Sequence, residues 1–360
     1  MKKVTKIVLT GGPSGGKTHA LKALREELEK LGLDVICVTE SAEGLISEGF
    51  DRSRSVYEFQ KEIALCQLAG ELEAEKRAKD NSVIICDRGL MDCRVYLDDE
   101  EFERLKKELG LTDIELRDRY DAAFHLDSTS SDTQSEYHSG NVRTETREQA
   151  ELLNEKSLRA WCGNPHYRFI PVKSTLEKKL ELLLKEVKAF LGIPKPLEIE
   201  RKFLIEYPDT NKLLSFPCCK VKVEQTYLFD ANGRYRLRKR GENGSFIYIQ
   251  TVKRKISETV REEIEQRLSE SEYNELMKSG NKIGSIKKDR YCLMYGGVYY
   301  EIDVFPFWKN QAYLEVELHN EEERVELPDF IKVIREVTYD PGYKNYALCM
   351  KIPEEDCKKL

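Results

Sequence analysis

Residues 6–20 read Lys6-Ile7-Val8-Leu9-Thr10-Gly11-Gly12-Pro13-Ser14-Gly15-Gly16-Lys17-Thr18-His19-Ala20. A short apolar strand, Lys6–Thr10, runs into a glycine-rich octet that fits G-x-x-x-x-G-K-[ST] at every fixed position, and a helical pattern opens at Lys17. Glycines let successive backbone N–H groups turn toward one point, and a helix N-terminus adds positive potential there. The octet Gly11, Gly12, Pro13, Ser14, Gly15, Gly16, Lys17 and Thr18 is therefore expected to wrap a phosphate chain. Lys17 would sit on the terminal phosphates and Thr18 would hold Mg²⁺.

Working outward, the first half of the chain alternates apolar strands with helices. Strands are expected at Lys6–Thr10, Asp34–Glu40, Ser82–Asp87, Ala122–Asp127 and Tyr167–Val172. Helices are expected at Lys17–Leu31, from about Ser55 to Lys79, at Asp99–Leu109 and at Glu145–Trp161. Continuous apolar strands between helices indicate a parallel sheet covered on both faces. Ile84-Ile85-Cys86-Asp87-Arg88 then places Asp87 at the end of a buried strand, where a carboxylate reaches Mg²⁺. Glu40 ends the second strand on the same sheet edge, where open α/β sheets bind ligands. It could accept a proton from a substrate hydroxyl, or it could be a charge at a helix start. Arg143 and Arg147 precede a helix and read either as lid arginines closing on a transferred phosphate or as solvated helix-start charges. Ser174-Thr175-Leu176-Glu177 reads as a capping box opening a helix with apolar positions at Leu176, Leu180, Leu183, Leu184, Val187 and Leu191. Gly192-Ile193-Pro194-Lys195-Pro196 ends that helix. The expected division is an α/β domain over residues 1–192, a linker over 193–196 and a second domain over 197–360.

After Pro196 the period changes to two. Strands are expected at Glu198–Ile205, Val221–Phe229, Arg234–Lys239, Phe246–Arg254, Glu262–Leu268, Lys288–Tyr295, Val298–Phe305 and Ala312–Leu318. A capping box at Ser269-Glu270-Ser271-Glu272 opens one helix among them. Side chains two apart share a strand face. Seven charged or polar rows follow: Glu198/Glu200/Lys202, Arg234/Arg236/Arg238, Thr251/Lys253/Lys255, Glu263/Glu265, Lys288/Arg290, Glu301/Asp303 and Glu315/Glu317. An exposed face explains any one row alone. Rows recurring on nearly every strand call for a closed antiparallel barrel of eight strands with a charged lumen, because unpaired charge in a sandwich core costs several kcal/mol. Acidic rows can hold a divalent metal, and basic rows can neutralise a chain of phosphates.

Composition narrows the function classes. Of 360 residues, 40% are hydrophobic and 34% charged, and the net charge of −6 argues against general nucleic-acid binding. The ten cysteines contain no CxxC pair, so reduced buried thiols are expected rather than zinc or a redox motif. The N-terminus lacks a signal-peptide pattern and no apolar run approaches the ~20 residues of a membrane span. The expected location is cytoplasmic.

The second-half rows resemble, in order, the motifs of the CYTH or triphosphate tunnel metalloenzyme superfamily, beginning with Glu198-x-Glu200-x-Lys202 and ending with Glu336-Val337-Thr338, Tyr343, Asn345 and Leu348. The resemblance implies Mg²⁺- or Mn²⁺-dependent attack on a triphosphate, with Glu198, Glu200, Glu315 and Glu317 near metal. The phosphate would lie along Lys202, Arg234, Arg236, Arg238, Lys253, Lys288 and Arg290, with Lys202 catalytic. The first half resembles a P-loop group that includes nicotinamide riboside kinase, through Val8–Pro13, Thr39-Glu40-Ser41, Cys86-Asp87-Arg88-Gly89 and Arg143-x-Glu145. It departs from deoxynucleoside-type kinases at Gly89, where Ser or Tyr is usual. The insect photoreceptor translocation-defect family joins the same two domains in the same order. It implies binding of nucleotide, GTP in particular, and a peripheral contact with phosphoinositide lipids. The expected activity is binding of ATP or GTP with Mg²⁺ and hydrolysis or phosphoryl transfer, by way of Lys17, Glu40 and Asp87, beside a tunnel that binds and hydrolyses triphosphate compounds. The alternative is a nucleotide-dependent regulator whose tunnel binds phosphoinositide or protein without catalysis.

Overall fold

Strand β1 (Thr5–Thr10) lies at the middle of the first sheet, with Ile7, Val8 and Leu9 wholly buried. The computed structural model describes residues 4–39, 55–128, 146–193, 199–231, 233–255, 261–318 and 324–352. Glu40, Arg143 and Glu198 lie outside the described residues, as do the side chains of Arg147, Lys253 and Glu263. The chain divides into two units, one of Met1–Leu197 with Met294–Tyr299, the other of Glu198–Leu293 and Tyr300–Leu360.

In the first unit the strands β2 (Asp34–Val38), β3 (Ser82–Asp87), β4 (Ala122–Leu126) and β5 (Tyr167–Ile170) join β1 in a parallel sheet of order β2-β3-β1-β4-β5. The helices are α1 (Lys17–Lys30), α2 (Val56–Arg77), α3 (Asp99–Leu109), α4 (Asp113–Asp118), α5 (Arg147–Trp161) and α6 (Leu176–Phe190). Leu21, Leu24 and Leu28 of α1, with Leu183 and Val187 of α6, pack on Ile7, Leu9, Ile85 and Phe124. The expected capping box at Ser174 is not formed; Thr175 caps α6 by accepting from the Lys178 N–H, one residue later. The turn Leu90–Val95 and α4 were not legible in the period, because six residues do not complete two turns of an amphipathic pattern.

Gly89 follows the Asp87-Arg88 turn with an ordinary negative φ. A Cβ there would stand 2.7 Å from the Tyr120 ring and 2.9 Å from the Trp161 ring. Both rings are fully buried against each other, edge to face at 5.3 Å. A side chain at this position would have to displace one of these rings.

The second unit is an antiparallel sheet of order β10-β9-β8-β7-β11-β12-β13-β6-β14. Its strands are β6 (Glu200–Glu206), β7 (Cys218–Asp230), β8 (Gly233–Glu242), β9 (Ser245–Lys255), β10 (Arg261–Leu268), β11 (Asn281–Tyr295), β12 (Val298–Val304), β13 (Gln311–Glu317) and β14 (Val333–Glu336). Short helices α7 (Thr210–Ser215) and α9 (Asn345–Met350) flank α8 (Glu270–Ser279), which opens with the expected Ser269–Glu272 capping box. The sheet has one strand more than the eight expected, β14, which pairs with β6. Among the described residues β10 and β14 stand at the two ends of this order. One face carries the charged rows. On the other, Leu228, Tyr235, Leu237 and Tyr248 pack under Tyr273 of α8. An apolar group of Leu204, Ile286, Phe305, Trp308, Tyr313, Tyr343 and Leu348 lies beside the charged rows. No helix among the described residues is long and apolar enough to cross a membrane.

Gly89→Ala should lower stability of the first unit by about 1–3 kcal/mol, the cost of overpacking a filled core. Urea denaturation would read it as a fall in midpoint at unchanged slope.

Candidate phosphate-binding sites

The glycine-rich loop leaves β1 and enters α1 as the sequence indicates. Gly11 has φ +126°, and a Cβ there would lie 2.3 Å from the Leu126 carbonyl of β4, so only glycine fits. Lys17 donates to the Gly11 and Gly12 carbonyls at 3.1 and 2.8 Å. The Thr18 hydroxyl donates to Asp87 at 3.2 Å, across the gap between α1 and the end of β3. These two oxygen donors suit Mg²⁺, which takes one or two protein oxygens plus substrate phosphates. Arg88 follows at φ +71°. Its N–H donates to Leu9 O at 3.0 Å, and Gln67 donates to its carbonyl at 3.1 Å. Behind it Glu71 is buried, joined to Lys6 at 3.0 Å and Arg119 at 2.9 Å. Burial would raise the Glu71 pKa, but Lys6 and Arg119 outweigh it and hold the carboxyl low.

Sequence reasoning missed the side chains that clamp the loop. The Gly12 N–H donates to Asn154 Oδ1 at 3.1 Å, and Asn154 donates to Asp127 at 2.8 Å. His125 Nε2 lies 2.9 Å from the same Asn154 oxygen, and Tyr167 OH lies 3.2 Å from His125 Nδ1. Burial depresses the His125 pKa to about 3, so the ring is neutral and donates from Nε2 to Asn154. Lys179 of α6 donates to Gly15 O at 2.7 Å and Asp127 O at 2.6 Å. Burial lowers its pKa to about 8, against the pull of Asp127. Thr10 donates to Asp92 at 2.6 Å and lies 3.0 Å from Ser157. No local pattern marks these residues, because their partners are far away in sequence.

In the second unit the strand registers bring the rows together. Lys202 of β6 stands opposite Glu315 of β13, which stands opposite Glu301 of β12. Lys202 reaches Glu315 at 2.6 Å. Arg290 of β11 holds Asp303 by two bonds at 2.7 Å, Glu315 at 2.8 Å, and also Glu301. Lys288 donates to Asp303. Burial works against the charge of Arg290, but Asp303, Glu301 and Glu315 raise its pKa well above the ordinary value. Burial would raise the Asp303 pKa, yet Arg290 and Lys288 hold it well below the carboxylate range. Arg236 bonds Thr251 at 3.1 Å and Glu265 at 3.2 Å. Arg238 is different: burial, then Arg236 and Arg290, push its pKa down to about 10. Among the described residues the Nε atoms of Arg236 and Arg238 are buried with no hydrogen-bond partner. Arg234 lies at the exposed end, 3.5 Å from Tyr346 OH. Glu301 and Asp303, read only as a row, sit at the centre of this network. Arg240 continues the two-residue period of Arg234, Arg236 and Arg238, a signal that could have found it. Glu200 and Glu317 face each other at the exposed end.

Residues 6–179 match the family model described as AAA domain, and residues 196–343 that described as CYTH domain. The chain joins an AAA domain to a CYTH domain.

Similar solved structures include the inorganic triphosphatase NE1496, 29% identical over 44% of this chain and 97% of that one, with a TM-score of 0.32. A second is HpAC1 from Hippeastrum, for which a dominant triphosphatase activity is described, 18% identical over 34% and 80% with a TM-score of 0.26. A third is NadR protein in complex with NAD and AMP-PNP, 15% identical over 52% of this chain and 50% of that one, with a TM-score of 0.41. The chain thus spans half the length of NadR. No curated protein matches the chain. Nothing in these matches speaks for the insect translocation-defect family, for GTP or for phosphoinositides.

Among the described residues no three carboxylate, histidine or cysteine groups lie together as metal ligands. Of the four acids expected near metal in the CYTH domain, Glu315 is engaged by Lys202 and Arg290, Glu200 and Glu317 are exposed, and Glu198 is outside the described residues.

In the AAA domain, burial lowers the pKa of His125, and burial with Arg168 lowers that of His166. A depressed histidine pKa means the unfolded chain binds protons that the folded domain does not. Stability should therefore fall as pH drops below about 6.5, by about 2–3 kcal/mol between pH 7 and 5.5 for the two rings together. Chemical denaturation at both pH values checks the slope, and His166→Asn should remove about half of it.

Proposed function

We propose that the AAA domain binds a nucleoside triphosphate with Mg²⁺ and hydrolyses it or transfers its terminal phosphate. The CYTH domain binds a triphosphate compound along its charged face and hydrolyses it. The observation that carries the second part is the pair of buried guanidinium Nε groups on Arg236 and Arg238, left without acceptors among the described residues while the carboxylates around Arg290 are matched by cations. A buried donor without an acceptor is costly, and the charge-assisted acceptor that suits a guanidinium fork is a phosphate.

In the AAA domain Lys17 leaves the loop carbonyls for the terminal phosphates, and Thr18 with Asp87 positions the metal. Mg²⁺ held there would supply positive charge against that of the phosphates. Asn154 and Lys179 keep the loop backbone fixed while the ligand enters, so little reorganisation is left to the binding step. Glu40 as acceptor of a hydroxyl proton, and Arg143 and Arg147 as arginines closing over the phosphate, complete the reading. In the CYTH domain Arg236 and Arg238 take the phosphate chain from one side, while Lys202, Lys288 and Arg290 supply charge from the other. Glu301, Asp303 and Glu315 are already paired with Lys202, Lys288 and Arg290 and hold those cations in place.

Phosphate release from tripolyphosphate, pyrophosphate, ATP and GTP tests both halves with the full chain. Lys17→Ala should abolish nucleoside triphosphate turnover and leave tripolyphosphate hydrolysis in place. Equal loss of both in a folded protein would sink the assignment of two sites. Arg238→Ala should weaken tripolyphosphate about 10- to 100-fold, the worth of one charged hydrogen bond, without touching ATP turnover.

A further inference from the structure

The ten cysteines contain no CxxC pair, yet the fold sets two of them face to face. The antiparallel register of β7 with β11 places Cys219 opposite Cys292, and it runs unbroken from Gly284 to Leu293. The backbone therefore fixes this pairing. Opposite residues of an antiparallel pair have Cα atoms about 4.5 or 5.5 Å apart, according to whether they exchange hydrogen bonds. A disulfide spans Cα separations of about 4.4–6.8 Å, so either kind of pair can be bridged. Among the described residues no other two cysteines share a register pair. Side chains alternate along a strand, so Cys292 shares the face of Lys288 and Arg290. Cys218, opposite Leu293, lies on the other face.

Both residues of the pair are thiols, Cys292 buried and Cys219 half-buried. Cys219 Sγ donates to Glu242 Oε2 of β8 at 3.1 Å, so it is turned toward β8. One rotation about χ1 to another staggered rotamer turns it toward β11 instead. The more accessible sulfur thus already touches a proton acceptor.

We propose that Cys219 and Cys292 are an oxidisable pair, which closes a cross-strand disulfide and ties β11 to β7 when the protein meets a peroxide. Cys219 gives its proton to Glu242, and the thiolate attacks the O–O bond of hydrogen peroxide, forming a sulfenic acid. The leaving hydroxide takes the proton from Glu242 and becomes water. The Cys292 sulfur then attacks the Cys219 sulfur. The S–S bond forms, the S–O bond breaks, and hydroxide leaves with the Cys292 proton as a second water. Two thiols and one peroxide become one disulfide and two waters. A reducing thiol reverses the bridge by exchange. The bridge closes the long chain segment between β7 and β11, which restricts the unfolded chain and should stabilise the CYTH domain.

The test treats the full chain with hydrogen peroxide, blocks remaining thiols with N-ethylmaleimide and maps the peptides by mass without reduction. The peptides holding Cys219 and Cys292 should appear linked, with loss of two hydrogen atoms, and dithiothreitol should part them. The oxidised protein should melt at least about 5 °C higher than the reduced one. Cys219→Ser should remove both the link and the shift. Cys292→Ser should stop at a sulfenic acid on Cys219, trapped by dimedone. If that variant does not fold, Cys292→Ala takes its place with the same expected result. Linkage of Cys219 to any other cysteine overturns the proposal. So does a folded protein in which Cys219 stays reduced, one in which it oxidises while Cys292 remains a thiol, or a linked pair that leaves the melting temperature unchanged.

Discussion

One guanidinium shared by three carboxylates organises the CYTH domain. The registers set Glu301 directly opposite Glu315 on neighbouring strands, a pairing that repels. Arg290 bridges the two, and its third partner, Asp303, is completely buried. Without that bridge the sheet would bury like charges side by side, at a cost of several kcal/mol. With it, β11, β12 and β13 are tied through side chains as well as through backbone. The adjoining apolar group of Phe305, Trp308 and Tyr313 marks the limit of the polar region.

The AAA domain meets a different constraint. Its loop must keep N–H groups turned inward before any ligand arrives, and a glycine-rich segment is conformationally loose. The structure restrains it from three sides. Asn154 of α5 holds Gly12, Lys179 of α6 holds Gly15, and the Leu126 carbonyl presses on Gly11. Each holder is itself held: Asn154 by His125 and Asp127, Lys179 by the Asp127 carbonyl. The neutral state of His125 fixes the direction of that chain of hydrogen bonds.

What was legible in the sequence follows from how local each signal is. The strand, loop and helix around Lys6–Ala20 are consecutive, and their reading needed no tertiary knowledge. The period of two in Arg234, Arg236 and Arg238 set the face of β8, and the registers then placed Thr251 and Glu265 beside it. Asn154 and Lys179 were invisible, since nothing near either residue differs from an ordinary amphipathic helix. Barrel closure was inferred from charge alone. Charge rows report which face is polar and carry no signal for a short ninth strand, so β14 was missed. The ion pairs of Glu315 were hidden for a related reason: rows of acids do not show the bases, Lys202 and Arg290, that the registers set between them.

The contact from Lys179 to Gly15 has a bearing on how the protein is made. The two residues are separated by 164 positions, and the loop leaves a ribosome before α6, which comes at the end of its domain. The first-encoded part of the site is therefore the last to be finished. A nascent chain halted before α6 would carry the whole glycine-rich signature and β1, yet lack the ammonium that fixes Gly15 and the leucines that seal the sheet over α1. Ligand capture during synthesis would begin only once the domain had been translated in full.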